Sequence, residues 1–256
     1  LDAPQTRTAL LFSLYASDTS VQSIMAVIAQ QEAVHNESYS YVLSSVVSLD
    51  EQTKAFELGR KDPVLLKRNE QIMKQYNAFV DDPSLENILK TMVYTVLLEG
   101  MFFYSGFAFF YNLARQNKMV GTSTMVSYIN RDELEHGRFI SELFRATLAE
   151  NPAFNNDSFI QWVYDQFAQS VSLEIEWSTY VLADVDGIDL DEMKGYIQYR
   201  ANKMLRMMGL NEIYPEHVDN PMRWIHAYVD NFDETKTDFF EQKSRQYTKT
   251  RDLNGF

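Results

Sequence analysis

Residues 31–41 read Gln-Glu-Ala-Val-His-Asn-Glu-Ser-Tyr-Ser-Tyr, and residues 129–136 read Ile-Asn-Arg-Asp-Glu-Leu-Glu-His. Both carry Glu-x-x-His, as Glu32 with His35 and Glu133 with His136. On a helix, positions i and i+3 share a face, so each pair turns one carboxylate and one imidazole toward the same point. The chain has four histidines, and the other two, His217 and His226, have no such partner. A lone Glu-x-x-His on a surface helix is an ordinary solvated pair. Two of them facing each other are the halves of a metal site.

The acids outside these motifs complete the pattern. Asp2 precedes Glu32 by 30 positions and Glu99 precedes Glu133 by 34, each as an isolated acid in an apolar segment. Four helices of a bundle can aim Asp2, Glu32, His35, Glu99, Glu133 and His136 at one interior point. That is the ligand set of a carboxylate-bridged di-iron or di-manganese bundle. Two divalent cations balance four carboxylates, which makes burial tolerable. Oxygen and imidazole donors without sulfur suit iron or manganese better than structural zinc.

Working outward, helical periodicity dominates and no alternating strands or Asn-Gly hairpins are found, so the predicted class is all-α. Helices are expected from the 17–20 cluster through Val42, from Ser84 through the segment around Glu99, over 125–148 after a break at 121–124, over 158–182, and over 191–208. The division is a helical bundle domain over 1–230 and a polar tail over 231–256. Thr91–Ala114, lying between Lys90 and Arg115, has Glu99 as its sole charge. It fits either a membrane span or the buried centre of a bundle, and a metal-binding role for Glu99 favours the second. Residues 1–5 show no secretory signal, and the start looks like a cut.

Composition restricts the partners. The 256 residues include 36 acidic and 23 basic side chains, a formal charge of −13 that opposes nucleic acid and anionic membrane. With no Cys there is no disulfide, thiolate ligand or thiol nucleophile. Tyr39 follows His35 by four positions on the same helix face, about 6 Å further along. Phe103 and Phe107 follow Glu99 at i+4 and i+8, and Ile129 precedes Glu133 by four. These three apolar side chains are expected to face the same interior region.

Taken together, these motifs resemble the class I ribonucleotide reductase small subunit over nearly the whole chain. The 31–41 segment is similar to the stretch holding two metal ligands and the radical tyrosine. Glu99–Phe107 looks like the next ligand helix, and 129–136 resembles the Arg-Asp-Glu-x-x-His signature. Leu1-Asp2 with Gln5 resembles the first ligand segment, and the resemblance continues through Tyr196–Leu210 into the tail.

The resemblance implies a ferritin-like four-helix bundle with additional C-terminal helices, holding two iron ions, or manganese in some relatives. Oxygen or an oxygen-derived oxidant would lead to oxidation of Tyr39. The oxidising equivalent would pass to a cysteine of a separate large subunit that reduces ribonucleotides to deoxyribonucleotides. It also implies that Asp132 hydrogen-bonds His35, that Tyr247 relays the radical, that Leu253–Phe256 anchor the large subunit, and that the chain forms a cytoplasmic homodimer. The family has a segment upstream of its first ligand, with a tryptophan in the radical path, so a missing N-terminal piece or a separate N-terminal polypeptide is expected. Three rival readings are a di-iron oxidase or oxygenase, a ferritin-like iron store, and a purely structural helical protein. The first two do not require Tyr39 with its Phe103, Phe107 and Ile129 surroundings and the tail bearing Tyr247, and the third leaves Glu99 unexplained.

Overall fold

The computed structural model describes residues 2–229, with side chains from Gln5 onward. Among the described residues every regular element is helical: α1 (Asp2–Tyr15), α2 (Thr19–Val46), α3 (Leu49–Lys61), α4 (Pro63–Asp81), α5 (Leu85–Leu97), a π-helical turn (Leu98–Phe102), α6 (Tyr104–Arg115), α7 (Val120–Glu150), α8 (Asp157–Leu182), α9 (Leu190–Met207) and the short α10 (His226–Val229), with two 3₁₀ turns at Pro215–His217 and Arg223–Ile225.

Helices begin where side chains satisfy the first N–H groups. Asp18 accepts from the amides of Ser20 and Val21 at the start of α2. Ser48 and Glu51 form a capping box on α3, and Asp62 caps α4 just ahead of Pro63, a residue suited to the first helical position. α1 packs along α2, α5 and the π turn along α7, and α2 crosses α7. Residues 2, 32, 99 and 133 therefore stand on four neighbouring segments. The apolar run is core: Leu97, Leu98, Met101 and Phe102 are buried, as is the face of α4 formed by Arg68, Ile72, Tyr76 and Phe79.

The π turn widens the helix by one residue at Glu99 and leaves carbonyls without their usual partners. Two buried arginines take them up. Arg200 Nε of α9 donates to the Gly100 carbonyl at 3.0 Å, and Arg68 Nη2 of α4 donates to the Phe102 carbonyl. Glu174 of α8 balances Arg68 and also accepts from Ser105. Gly100 is required here, because a Cβ would run into Met204 of α9.

The expected break at 121–124 lies instead at 116–119, and α7 starts at Val120. Asn117 and Met119 take the positive φ angles of the turn, 59° and 47°, while Gly121 meets open space in the first turn of α7. Glycine thus marks a tolerant position rather than the bend. α3 and α4 were not anticipated. α3 buries no residue, and its Leu49, Phe56 and Leu58 stay exposed.

Candidate metal centre

Five of the six expected ligands converge. Glu32 and His35 come from α2, Glu133 and His136 from α7, and Glu99 from the π turn, and all are at most 5% exposed. Glu32, Glu99, Glu133 and His136 each offer a ligand atom within 4.8 Å of the others. His35 Nδ1 lies 3.1 Å from Glu133 Oε1 and 3.8 Å from Glu32 Oε1. His136 Nδ1 lies 3.1 Å from Glu32 Oε1, 3.3 Å from Glu99 Oε2 and 3.6 Å from Glu133 Oε2. The imidazoles flank the carboxylates with ring centroids 6.0 Å apart. Asp2 opens α1, and its side chain lies outside the described part, as do Tyr247 and Leu253–Phe256.

The electrostatics call for a cation. Glu32 Oε1, His35 Nδ1 and Glu133 Oε2 are buried without a hydrogen-bond partner. Burial, then the charge of Glu99, pushes the Glu32 carboxyl up to about 7. Burial, then the charge of Glu133, pushes Glu99 up to about 8. For the histidines burial works against the charged ring, yet the neighbouring carboxylates of Asp132 and Glu133 raise His35 to about 9. The carboxylates of Glu133, Glu32 and Glu99 around its Nδ1 raise His136 to about 12. Without metal the group must hold protons, which a divalent cation would replace. The residues present fit a divalent cation.

Surrounding side chains hold the ligands. Asp132 Oδ2 stands 3.3 Å from His35 Nε2, the pairing that the family resemblance implied. Gln31 Oε1 stands 2.9 Å from His136 Nε2, a contact the sequence reading missed although Gln31 precedes Glu32 as Asp132 precedes Glu133. Gln5 Nε2 donates to Glu99 Oε1 at 3.1 Å. A cavity of about 10 Å³ lined by Gln5, Ile28, Glu32, Tyr76, Glu99 and His136 adjoins the cluster, with room for one water-sized molecule.

Tyr39 is half-buried, and its ring packs 6.5 Å from Phe110, a neighbour not anticipated from sequence. Phe107 and Ile129 are buried, and Phe103 is half-buried with its ring 6.2 Å from Phe107. Neither His217 nor His226 joins the cluster.

Fold and site together define a carboxylate-rich, metal-binding helical bundle of the ferritin-like type. Residues 1–221 match the family described as "Ribonucleotide reductase, small chain". A ribonucleoside-diphosphate reductase subunit beta from Halalkalibacterium halodurans is 46% identical over all of this chain and 74% of its own length. The Treponema pallidum subunit beta is 35% identical over 98% of this chain and 72% of its own. A class I ribonucleotide reductase structure from Bacillus halodurans superposes with a TM-score of 0.86 at 44% identity, covering 89% of this chain and 81% of that one. The R2 subunit from Clostridium botulinum gives 0.84 at 34% identity, covering 89% and 72%. The chain belongs to the ribonucleotide reductase small-chain family and is a subunit of that oxidoreductase.

Proposed function

We propose that Glu32, His35, Glu99, Glu133 and His136, with Asp2 as sixth ligand, hold two iron or manganese ions that enable one-electron oxidation of Tyr39. When bound, such a pair supplies the redox equivalents for oxygen chemistry. Glu32 and Glu133 stand between the two imidazoles, each within 3.8 Å of both, and would help to hold the ions. Asp132 holds the His35 ring with Nδ1 inward and can take up or return its Nε2 proton. Tyr39 would be oxidised by one electron, passed with its phenolic proton to the oxygen-derived oxidant at the metal pair; Phe110 packs beside its ring, and Phe103, Phe107 and Ile129 are the further apolar residues assigned to its surroundings. The observation that carries this reading is the convergence of three carboxylates and two imidazole Nδ1 atoms, with unpartnered lone pairs, in a buried centre.

The oxidising equivalent then passes to a cysteine of a large subunit that reduces ribonucleotides, with Tyr247 as relay and Leu253–Phe256 as anchor. Family membership supports that partner. A cytoplasmic homodimer is the assembly we favour: Ile24, Val27, Val34 and Tyr41 form an exposed stripe along α2 at coiled-coil spacing, suited to a second copy. A di-iron oxidase acting on an organic molecule is the alternative, and the cavity at the cluster, about 10 Å³, offers such a substrate little room.

The test is low-temperature electron paramagnetic resonance after loading with ferrous iron and oxygen. A tyrosyl signal in the wild type that Tyr39→Phe abolishes, with metal retained, supports the proposal. Metal bound with no tyrosyl signal favours the oxidase. A signal that survives Tyr39→Phe refutes the role of Tyr39.

A further inference from the structure

The residue preceding each Glu-x-x-His serves the histidine of the opposite helix. Asp132, on α7, faces His35 of α2 at 3.3 Å; Gln31, on α2, faces His136 of α7 at 2.9 Å. Both rings thereby turn Nδ1 into the cluster, His35 toward Glu133 and His136 toward Glu32, each at 3.1 Å. A ring nitrogen that ligates a cation carries no proton, so the proton sits on Nε2 and its neighbour must accept. Gln31 does so with its amide oxygen.

The geometry is matched, but the chemistry is not. His35 is backed by a carboxylate and His136 by a neutral amide. A carboxylate draws the Nε2 proton toward itself and enriches Nδ1 in electron density, making that imidazole the stronger donor. Gln31 supplies orientation with much less of this push.

We propose that Gln31 is the positioning residue of His136, and that its neutral amide makes the cation site formed by His136 and Glu99 the weaker of the two. The site at His35, backed by Asp132, fills first. This inference rests on the dinuclear reading above and adds to it an order of filling and a side chain that sets it.

The experiment is a stepwise titration of the full chain with Mn(II), followed by electron paramagnetic resonance of free and bound ion. The wild type is expected to bind two ions in two resolved steps. Gln31→Met, similar in size but unable to accept, should weaken the second step by about 10- to 100-fold and leave the first unchanged. Asp132→Asn should weaken the first step, which assigns the sites. Gln31→Glu should tighten the second step and bring the two together.

Wild-type constants in Gln31→Met, equal weakening of both steps, or weakening of the first step alone would each overturn the proposal. Should Gln31→Met fail to fold, Gln31→Glu decides: a tighter second step supports the inference, and an unchanged or weaker one refutes it. A wild-type chain that binds no Mn(II) or iron refutes the dinuclear reading itself, and this inference with it. A wild type that binds two ions while Gln31→Met binds them equally well refutes only the role of Gln31.

Discussion

The Glu32 carboxylate lies closer to His136, on the opposite helix, than to His35 on its own: 3.1 Å against 3.8 Å. Glu133 mirrors it, with Oε1 3.1 Å from His35 and Oε2 3.6 Å from His136. Each carboxylate therefore joins the two helices, and neither Glu-x-x-His motif is a site by itself.

Glu32→Ala is accordingly expected to lose both ions, whereas Glu99→Ala, whose carboxylate touches only the His136 side, should lose one. Elemental analysis after loading and desalting reads this directly. Two ions retained in Glu99→Ala would contradict its assignment as a ligand.

Stability should respond to pH in opposite ways with and without metal. The raised values of Glu32, Glu99, His35 and His136, about 7, 8, 9 and 12, mean that the folded metal-free chain holds more protons than the unfolded one. The unfolded carboxyls release theirs near 4.5 and the unfolded imidazoles near 6.5. The stabilisation from these protons is therefore fully present at low pH and is lost as pH rises through the folded-state values. Metal replaces the protons, so the stabilisation it adds grows with pH. Thermal unfolding at about pH 6 and about pH 8, with and without Mn(II), should show the metal-induced rise in Tm to be larger at the higher pH. An equal rise at both would contradict the proton count.

Arg68 and Glu174 form a buried pair, with side chains 7% and 0% exposed, and Arg68 stacks over the Phe102 ring at 4.6 Å. Arg68→Met strands the Glu174 charge and should cost about 3–5 kcal/mol. Arg68→Met with Glu174→Gln should recover part of that loss. Because Arg68 also binds the Phe102 carbonyl, metal occupancy at Glu99 is expected to fall in the single variant. Denaturant unfolding and metal analysis measure the two effects separately.

Removal of residues 231–256 should leave metal content unchanged and abolish binding to the large subunit. Co-sedimentation with that subunit provides the measurement. Retained binding would place the docking surface on the bundle.

Much of the centre could be read in the sequence because its signals are chemical and local. The i,i+3 spacing of Glu32 with His35 and Glu133 with His136 survives any bundle geometry, and Glu99 stands out as a charge in an apolar run. Gln31 was hidden for the opposite reason: a neutral amide on a mixed helix face has no charge signature, and its partner is fixed only by how α2 crosses α7. The π turn leaves no trace in composition, since one extra residue in a run whose sole charge is Glu99 changes hydrogen bonding and not pattern. Arg68 and Arg200 become intelligible only once that turn is seen. The Phe110 contact to Tyr39 likewise joins residues 71 positions apart on α6 and α2, which no local pattern pairs.

Crystals grown separately with iron and with manganese, and measured at each metal's absorption edge, test the dinuclear centre most directly. The account predicts two anomalous peaks about 3.5–4 Å apart, flanked by Glu32 and Glu133, one bound by His35 and the other by His136. A single peak, or two that do not share these carboxylates, would contradict it.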